Sequence, residues 1–330
     1  MIVKGYHEPV LVAEIPKLLV KIPGVYVDGT LGGGGHSHAI LQELLRRDFA
    51  EQSLVIGIDQ DDNALDAAEK RLSSYSGRLV FVKGNFGDLQ KIVQRVCIEN
   101  QRPPVVAGML LDLGVSSAQI DSPERGFSYL HQGPLDMRMD PAAEKSAADI
   151  INAMSERELA NLFYRFGEEP RSRSIARSVV DYRERYGPIL RTETFADIIR
   201  RREARPDRAI KTLSRIFQAV RIEVNRELDV LARVLEQSTA LLSPLGRLAV
   251  ISYHSLEDRM VKSFFVEQAR SDWGPKGVGL REPLRKAGFS IVTRRAIVAG
   301  EQELSSNPRA RSAKLRVLEK LAAGDTGEPI

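Results

Sequence analysis

Four consecutive glycines, at residues 32–35, separate a short apolar run from an amphipathic segment. The run at residues 25–27 is typical of a short strand, and residues 37–45 have the pattern of a helix start. Because glycine has no Cβ, backbone N–H groups at such a turn can approach a ligand closely, and the helix N-terminus adds a partial positive charge. The turn therefore predicts an open α/β sheet that holds a nucleotide-like cofactor. A glycine-rich turn without a ligand is the alternative.

The sequence of this turn excludes two common phosphate-binding motifs. A P-loop would end in Gly-Lys-Ser/Thr, which is absent here. In the frame of G-x-G-x-x-G, Gly32 and Gly34 are followed by Ser37 instead of the third glycine. A dehydrogenase is therefore the least favoured enzyme class. Several glycines after an acidic strand end, here Asp28, are instead typical of S-adenosylmethionine (SAM) methyltransferases.

Composition places the chain among ordinary globular proteins. Its 330 residues are 43% hydrophobic and 28% charged, which is enough for one large or two small domains. The single Cys97 excludes a disulfide framework and a cysteine metal site, and it fits a reducing cytosol. No apolar run approaches the ~20 residues of a membrane span. We therefore expect a cytoplasmic protein without membrane contact, and the sequence predicts no metal site.

Positive charge is concentrated in the middle of the chain. Residues 165–215 contain 14 Lys or Arg and 8 Asp or Glu, a balance of +6 in a chain whose net charge is +4. The remainder therefore sums to −2. Such a concentration is expected of a surface that contacts phosphate. Solvated helix faces would give the same count and remain the alternative.

The order of predicted elements indicates an interrupted sheet. Strand-like runs alternate with helical segments, which predicts a parallel sheet covered on both sides. The strand-like runs are residues 54–58, 78–82, 105–111 and 247–253. Helical patterns replace this alternation in mid-chain, and we expect residues 289–297 and 313–318 to form an antiparallel end of the sheet. We therefore predict a sheet domain over residues 1–125 and 214–330, with a helical insertion at 126–213. The run 216–242 is expected to be one helix of the sheet domain.

Polar and aromatic residues at the predicted strand ends form a candidate cofactor site. Asp59 follows Gly34 by 25 residues, which suits a carboxylate that accepts hydrogen bonds from two ribose hydroxyls. Phe86 could cover an adenine face, and Asp112 could receive an amino group. Asp28 completes the set. A helix N-cap is the alternative for the aspartates, and core packing is the alternative for Phe86.

Long motifs throughout the chain carry a resemblance to a known family. These motifs are HEPVL (7–11), DGT (28–30), GGHS (34–37), GIDQD (57–61), LLDLGVSS (110–117), ERGFS (124–128), GPLDMRMD (133–140), QAVRI (218–222), SYHSLEDR (252–259) and NPRARS (307–312). With them the chain resembles the bacterial 16S ribosomal RNA (cytosine-N4) methyltransferase family. The resemblance implies a Rossmann-like SAM-dependent methyltransferase sheet with an inserted all-helical domain, which is expected to recognise RNA.

The resemblance also implies a set of SAM-binding residues. They are Gly34, Gly35, His36, Asp59, Phe86, Asp112 and Gln119. The glycine loop and the strand ends already single out most of them. Gln119 rests on the resemblance alone, because from its neighbours it could equally be a surface loop amide. His36 is ambiguous by the same reasoning, since a histidine in a first helical turn is usually only tolerated there.

The implied reaction is transfer of the SAM methyl group to a cytidine N4. Many amino-methyltransferases place Asp/Asn/Ser-Pro-Pro-aromatic at the fourth strand end, and this chain has DLGVSS there (112–117). We expect Asp112 and the backbone carbonyls of residues 113–116 to line the target pocket. His254 faces the substrate or packs in its loop. A methyltransferase with another acceptor, or an RNA-binding assembly factor that holds SAM without turnover, remain the alternatives.

The expected partner is 16S rRNA within the small ribosomal subunit. The basic residues predicted to contact its phosphates are Arg200, Arg201, Arg202, Arg205, Arg208, Lys211, Arg309, Arg311, Lys314 and Arg316. The sequence leaves naked RNA and assembled subunit open as substrates. It also leaves the oligomeric state open, with a homodimer among the options.

Overall fold

The computed structural model describes residues 9–203, 205–274 and 281–322, apart from the side chains of Ser117 and Ala118. His7, in the HEPVL motif (7–11), lies outside these ranges. The described chain divides into two compact units. One comprises Met1–Gly114 and Val230–Ile330, and the other comprises Val115–Asp229.

The first unit contains a seven-stranded sheet in the order β3-β2-β1-β4-β5-β7-β6. Its strands are β1 Val25–Asp28, β2 Leu54–Asp59, β3 Leu79–Lys83, β4 Val106–Asp112, β5 Leu242–Ser252, β6 Phe289–Ile291 and β7 Lys314–Lys320. Its helices are α1 Glu14–Leu19, α2 Gly35–Arg46, α3 Asp62–Leu72, α4 Leu89–Glu99, α11 Glu227–Leu241, α12 Ser255–Gln268 and α13 Glu301–Ser306. The second unit contains α5 Ser117–Asp121, α6 Ala147–Ala153, α7 Glu156–Gly167, α8 Ser172–Tyr186, α9 Thr192–Arg200 and α10 Pro206–Asn225.

The sheet is parallel in its centre and antiparallel at one edge. Strands β3, β2, β1, β4 and β5 pair in parallel, whereas β7 pairs antiparallel with both β5 and β6. All residues of β1 are buried, as expected of a strand covered by helices on both faces. The predicted α/β sheet and its antiparallel end are confirmed.

The second unit is an all-helical body with its own core. Ser146 and Ser155 each begin a helix with a capping box, in which the serine side chain and the residue three positions on cap one another. Phe163, Phe195 and Phe217 are buried in the middle of this unit. The unit extends to residues 115 and 229, beyond the predicted insertion at 126–213, because Val115 and Val224 pack against the helical core.

The prediction of one helix over residues 216–242 is wrong. Arg226 has φ 49° and ψ 39°, a left-handed conformation that ends α10, and α11 begins at the next residue. Phe217 of α10 is buried in the core of the second unit, whereas Leu231 and Val234 of α11 are buried against the sheet. The chain therefore passes from one unit to the other shortly after this break, between Asp229 and Val230.

None of the helices in the described part of the chain combines the length and apolarity that crossing a membrane requires.

A buried carboxylate joins the sheet to α1 and supplies a test of the fold. Glu319 on β7 accepts hydrogen bonds from Lys21 Nζ at 2.8 Å and from Arg247 Nε on β5 at 2.7 Å. Arg247 also donates to the carbonyl of Leu18. Burial alone would raise the pKa of Glu319, but the hydrogen bonds from Lys21 and Arg247 outweigh it and lower the pKa below the ordinary value of 4.5.

We expect Glu319→Gln to lower the free energy of unfolding by about 2 kcal/mol at pH 7, because two cations lose their partner. A lowered carboxyl pKa contributes stability above the unfolded-state pKa, and this contribution is lost as the pH falls through the folded-state pKa. The difference between variant and wild type should therefore shrink towards pH 3 in urea titrations. Glu267→Gln, at an exposed position, is the matched control. A deficit that stays equal at both pH values would contradict this role for the ionised carboxylate.

Candidate active site

The glycine loop is shaped by packing against α3 and the N-terminal segment. Gly34 has φ 74°, and a Cβ built on it would lie 2.8 Å from Leu72 Cδ1. A Cβ on Gly35 would lie 2.9 Å from Pro9 Cγ. Distances this short require neighbouring atoms to move, so packing in the fold favours glycine at both positions whether or not a ligand binds.

Asp28 accepts hydrogen bonds from this loop and is completely buried. Its Oδ2 accepts a hydrogen bond from Ser37 Oγ at 2.7 Å, and its Oδ1 accepts one from Thr30 N at 3.3 Å. Burial raises the pKa of Asp28, while His36, Ser37 and Thr30 oppose that rise. Asp28 is therefore a residue that positions the loop, and its full burial removes it from the surface offered to a ligand.

Asp59 connects the end of β2 to the glycine loop. Its Oδ2 accepts from Gly32 N at 2.8 Å and its Oδ1 accepts from Asp61 N at 2.9 Å. The N-cap of α3 is Asp61, which accepts from Asn63 N, so the N-cap alternative for Asp59 does not describe the structure. Burial raises the pKa of Asp59, and the N–H groups of Asp61 and Gly32 oppose it. The N–H of Gln60 bonds to the same carboxylate, which leaves part of its acceptor capacity for a ligand donor.

Asp112 ends β4 and is held through its backbone and its side chain. Its N–H donates to Thr30 Oγ1 at 2.7 Å, and its Oδ1 accepts from the Tyr253 hydroxyl at 2.9 Å. Burial, together with the negative charge of Asp112, raises the pKa of Tyr253, so this hydroxyl remains a protonated donor. The second oxygen, Oδ2, lies 3.4 Å from His36 Nε2.

His36 presents two ring nitrogens inside the same group of residues. The side chain is 5% exposed, and neither nitrogen has a hydrogen-bond partner among the described residues. The 3.4 Å approach to Asp112 is close enough for charge attraction, but it is not aligned for a hydrogen bond. Buried polar atoms are normally satisfied, so the two nitrogens suit a ligand or an ordered water.

Phe86 lies beside the glycine loop and also packs against the sheet. It begins a 3₁₀ turn, Phe86–Asp88, in which Asn85 Oδ1 accepts from Gly87 N at 2.7 Å. A Cβ on Gly29 of the loop would lie 3.5 Å from Phe86 Cβ. The ring is partly buried against the sheet core, so the alternative of core packing describes part of its environment.

Gln119 and His254 both have local capping roles. Gln119 lies in the helical unit, where its Oε1 accepts from Ser116 N at 3.0 Å and its own N–H donates to Ser116 Oγ at 3.2 Å. His254 is the N-cap of α12: its Nδ1 accepts from Glu257 N at 3.4 Å, and its Nε2 lies 3.2 Å from Glu257 Oε1. The Nδ1 of His254 is thus engaged locally, whereas its buried Nε2 has no hydrogen-bond partner among the described residues.

The structure places the other predicted SAM-site residues in the sheet unit, at the loop after β1 and at the strand ends of β2, β3 and β4. These residues are Gly34, Gly35, His36, Asp59, Phe86 and Asp112. Sequence reasoning missed Thr30, Ser37 and Tyr253. The Ser37 hydroxyl bonds to Asp28, and the hydroxyls of Thr30 and Tyr253 bond to Asp112. The signal was present for Thr30 in the DGT motif (28–30), and for Tyr253 in its place directly after β5.

Two of the residues predicted to contact phosphate form ion pairs within the protein. Lys314 and Arg316 pair with Asp258, with Nζ–Oδ2 at 3.1 Å and Nε–Oδ1 at 2.7 Å. Burial alone would raise the pKa of Asp258, but these two hydrogen bonds outweigh it and lower that pKa. Lys314 and Arg316 therefore join β7 to α12, which is a structural role that their sequence positions did not reveal.

The remaining candidates differ in how far they are engaged. Arg202 Nε donates to Ser178 Oγ, and Arg205 pairs with Asp207 at 3.3 Å. Arg309 is half-buried in the 3₁₀ turn Pro308–Ser312, whereas Arg311 in the same turn is exposed. Direct contact of these residues with RNA stays a prediction.

Comparison with known proteins places this architecture in a family. The model of the MraW methylase family matches residues 4–321. A Chlorobium limicola protein described as ribosomal RNA small subunit methyltransferase H is 68% identical over 318 residues, covering 96% of this chain and 99% of its own length. A Chlorobium phaeobacteroides protein of the same description is 59% identical, covering 97% of each chain. A solved structure described as a putative rRNA-methylase from Clostridium thermocellum aligns over 94% of this chain and 95% of its own, with a TM-score of 0.41 and 13% identity.

The family model spans both units, including the glycine loop, Asp59, Phe86 and Asp112. The chain belongs to the MraW methylase family.

Proposed function

We propose that this protein transfers a methyl group from SAM to the N4 amino group of a cytidine in 16S rRNA, in the decoding region of the small ribosomal subunit. The relatives described as ribosomal RNA small subunit methyltransferases support the substrate class. The observation that carries the proposal is the Asp112 carboxylate at the end of β4, with one oxygen fixed by Tyr253 and the other beside His36. A ribosomal substrate places the reaction in the cytoplasm.

The residues of the sheet unit fit SAM as the methyl donor. The N-terminus of α2 suits the carboxylate of its methionine part, because the first N–H groups of a helix favour an anion. Asp59 has lone pairs left for the ribose hydroxyls, and Phe86 offers a ring beside the loop. The ring nitrogens of His36, which have no hydrogen-bond partner in the part of the chain that the structure describes, supply polar contacts in a buried place. We include Gln119 in this site by resemblance alone.

SAM supplies an electrophilic methyl group, so the task left to the protein is approach and orientation. The N4 amino group is a weak nucleophile because its lone pair is delocalised into the ring. A carboxylate oxygen that accepts an N–H hydrogen bond favours a pyramidal nitrogen and disperses the positive charge of the transition state. Oδ2 of Asp112 is the candidate acceptor, since Tyr253 already engages Oδ1. A catalytic role for His254 is the weaker proposal, because its Nδ1 caps α12.

The reaction is tested by transfer of labelled methyl from SAM to small ribosomal subunits that lack the modification, followed by digestion to nucleosides. The proposal predicts label in N4-methylated cytidine. Label in another nucleoside would retain a methyltransferase but refute the acceptor. No transfer by a protein that binds SAM, on subunits and on naked 16S rRNA alike, would instead favour an assembly factor.

The role of Asp112 is tested by Asp112→Asn, which keeps an oxygen for the Tyr253 hydroxyl but removes the charge. We expect the single-turnover rate at saturating SAM and subunits to fall about 10²–10³-fold, with the SAM Kd changed less than tenfold. Asp66→Asn, at an exposed position on α3, is the control and should retain both values. Full turnover by an Asp112→Asn protein with normal SAM binding would rule out this role.

The glycine loop is tested by comparing Gly34→Ala with Gly77→Ala. Both glycines have positive φ, 74° and 83°, but a Cβ on Gly77 meets nothing within 4 Å. Each variant should lose about 1 kcal/mol of stability from the strained backbone. Only Gly34→Ala, which also forces Leu72 away from the loop, should weaken SAM binding in calorimetry, by at least about tenfold. Equal SAM affinity in the two variants would show that the shape of this loop does not control binding.

A further inference from the structure

The end of α9 and the start of α10 form, with the chain before them, an exposed surface that is both basic and apolar. We name it the α9–α10 corner, and it consists of Tyr129, Leu130, Arg200, Arg201, Ile210 and Lys211. All six residues lie in the helical unit. None of them takes part in the SAM site described above.

Contacts of Tyr129 hold this surface together. Arg200 Nη2 at the end of α9 donates to the Tyr129 carbonyl at 3.3 Å, and the Tyr129 hydroxyl lies 2.9 Å from Ser214 Oγ on α10. The ring of Tyr129 meets that of Phe217 edge-on, with centroids 5.5 Å apart. Ile210 is four positions before Ser214 on the same helix, so both share one face of α10. The loop after Phe127 is thereby fixed against the two helices.

The cations of the corner differ in their availability. Arg200 pairs with Asp197 at 2.8 Å. Arg201 and Lys211 are exposed, and neither has an ion-pair partner within the described ranges. Lys211 is three positions before Ser214, which places it beside the Tyr129 contact. The corner therefore offers two cations without an ion pair among the described residues, and both belong to the segment 165–215 with its balance of +6.

The corner also carries large exposed apolar side chains. Leu130 is 75% exposed and Ile210 is 56% exposed, so the surface offers an apolar face as well as charge. A bond from Leu130 N to Ser128 Oγ at 3.1 Å holds Leu130 in its loop. Cations alone would suit any polyanion, whereas cations together with exposed apolar side chains suit a single strand whose bases are unstacked.

We propose that the α9–α10 corner binds a single-stranded segment of the substrate RNA, with phosphates at Arg201 and Lys211 and an unpaired base against Leu130 and Ile210. This inference rests on the proposed function for the class of substrate, and it adds the place on the protein where that substrate is held. RNA is the occupant we choose because the proposed substrate is RNA, whose phosphates suit the two cations, and because the exposed side chains of Leu130 and Ile210 can cover an unstacked base.

The experiment measures binding of the full-length protein to immobilised small ribosomal subunits that lack the modification, between 50 and 200 mM KCl. The first variant is the double substitution Arg201→Gln, Lys211→Gln. It should bind about 5–10-fold more weakly than wild type at low salt, and its log–log salt slope should be about 1.4 less steep, since two phosphate contacts are lost. The second variant, Leu130→Ser, Ile210→Ser, should bind about fivefold more weakly with an unchanged slope.

The matched control is Arg157→Gln, Arg185→Gln, which removes two exposed arginines from α7 and α8 of the same unit. It should bind as wild type does. If control and corner variants weaken equally, the effect is one of net charge and the proposal fails. It also fails if both corner variants bind normally, or if wild type does not bind the subunits.

Methyl transfer by the wild-type protein on the same subunits separates this proposal from the proposed function. Loss of binding in the corner variants, with no transfer of label to cytidine by wild type, would support the RNA surface and refute the reaction. If wild type transfers methyl normally and the corner variants have its Kd and KM for the subunits, the corner does not bind RNA, and the proposed reaction is unaffected. An acidic peptide and single-stranded RNA are also compared as competitors of the binding between the protein and the subunits. If the peptide competes as well as the RNA does, RNA is the wrong occupant of the α9–α10 corner.

Discussion

The hydrogen bond from the backbone N–H of Asp112 to the Thr30 hydroxyl joins the glycine loop to the neighbouring strand end. At 2.7 Å it connects the turn after β1 with the last residue of β4. The same loop is tied to β2 through Gly32 and Asp59, and to its own helix through Asp28 and Ser37. Because these bonds lie within the protein, the candidate cofactor site is organised before a ligand arrives. Preorganisation of this kind reduces the entropy that binding must overcome.

Buried polar groups around Asp112 determine which of its atoms remain available. Asp28 is fully buried and satisfied by the loop, so it supports the site without facing it. Tyr253 engages one oxygen of Asp112, and its raised pKa keeps it a donor. His36 lies beside the other oxygen with both ring nitrogens unpartnered among the described residues. The groups that remain available to a cofactor or substrate are therefore Oδ2 of Asp112 and the imidazole of His36.

The central sheet and the glycine loop were predictable because their signals are local. Apolar runs that end in Asp59 or Asp112 specify buried parallel strands, and a run of glycines specifies a close backbone turn. The break between α10 and α11 was not predictable, since Arg226 adopts a left-handed conformation without the glycine or proline that normally marks a helix end. As a result, the sequence pattern joined two helices that belong to different cores.

The side-chain roles were harder to predict because they depend on distant partners. Arg316 and Lys314 are basic residues as Lys211 is, but they lie on β7, where Asp258 of helix α12 engages them. His254 lies at a strand end, as a catalytic histidine would, yet it caps its own helix. Tyr253 went unnoticed although it directly follows β5, because the partner of its hydroxyl, Asp112, is 141 positions away in the sequence. Spacing identifies candidates, whereas only the fold shows which of them are already engaged.

The most direct test of this account is the SAM Kd of Thr30→Val, measured by calorimetry beside Thr30→Ser. Valine has the shape of threonine but cannot accept the bond from Asp112 N, whereas serine keeps the hydroxyl. We predict that Thr30→Ser binds SAM within about threefold of wild type and that Thr30→Val binds at least about tenfold more weakly, because its N–H at Asp112 is left unsatisfied and the strand end is displaced. Equal affinity of the two variants would contradict the claim that this bond organises the site.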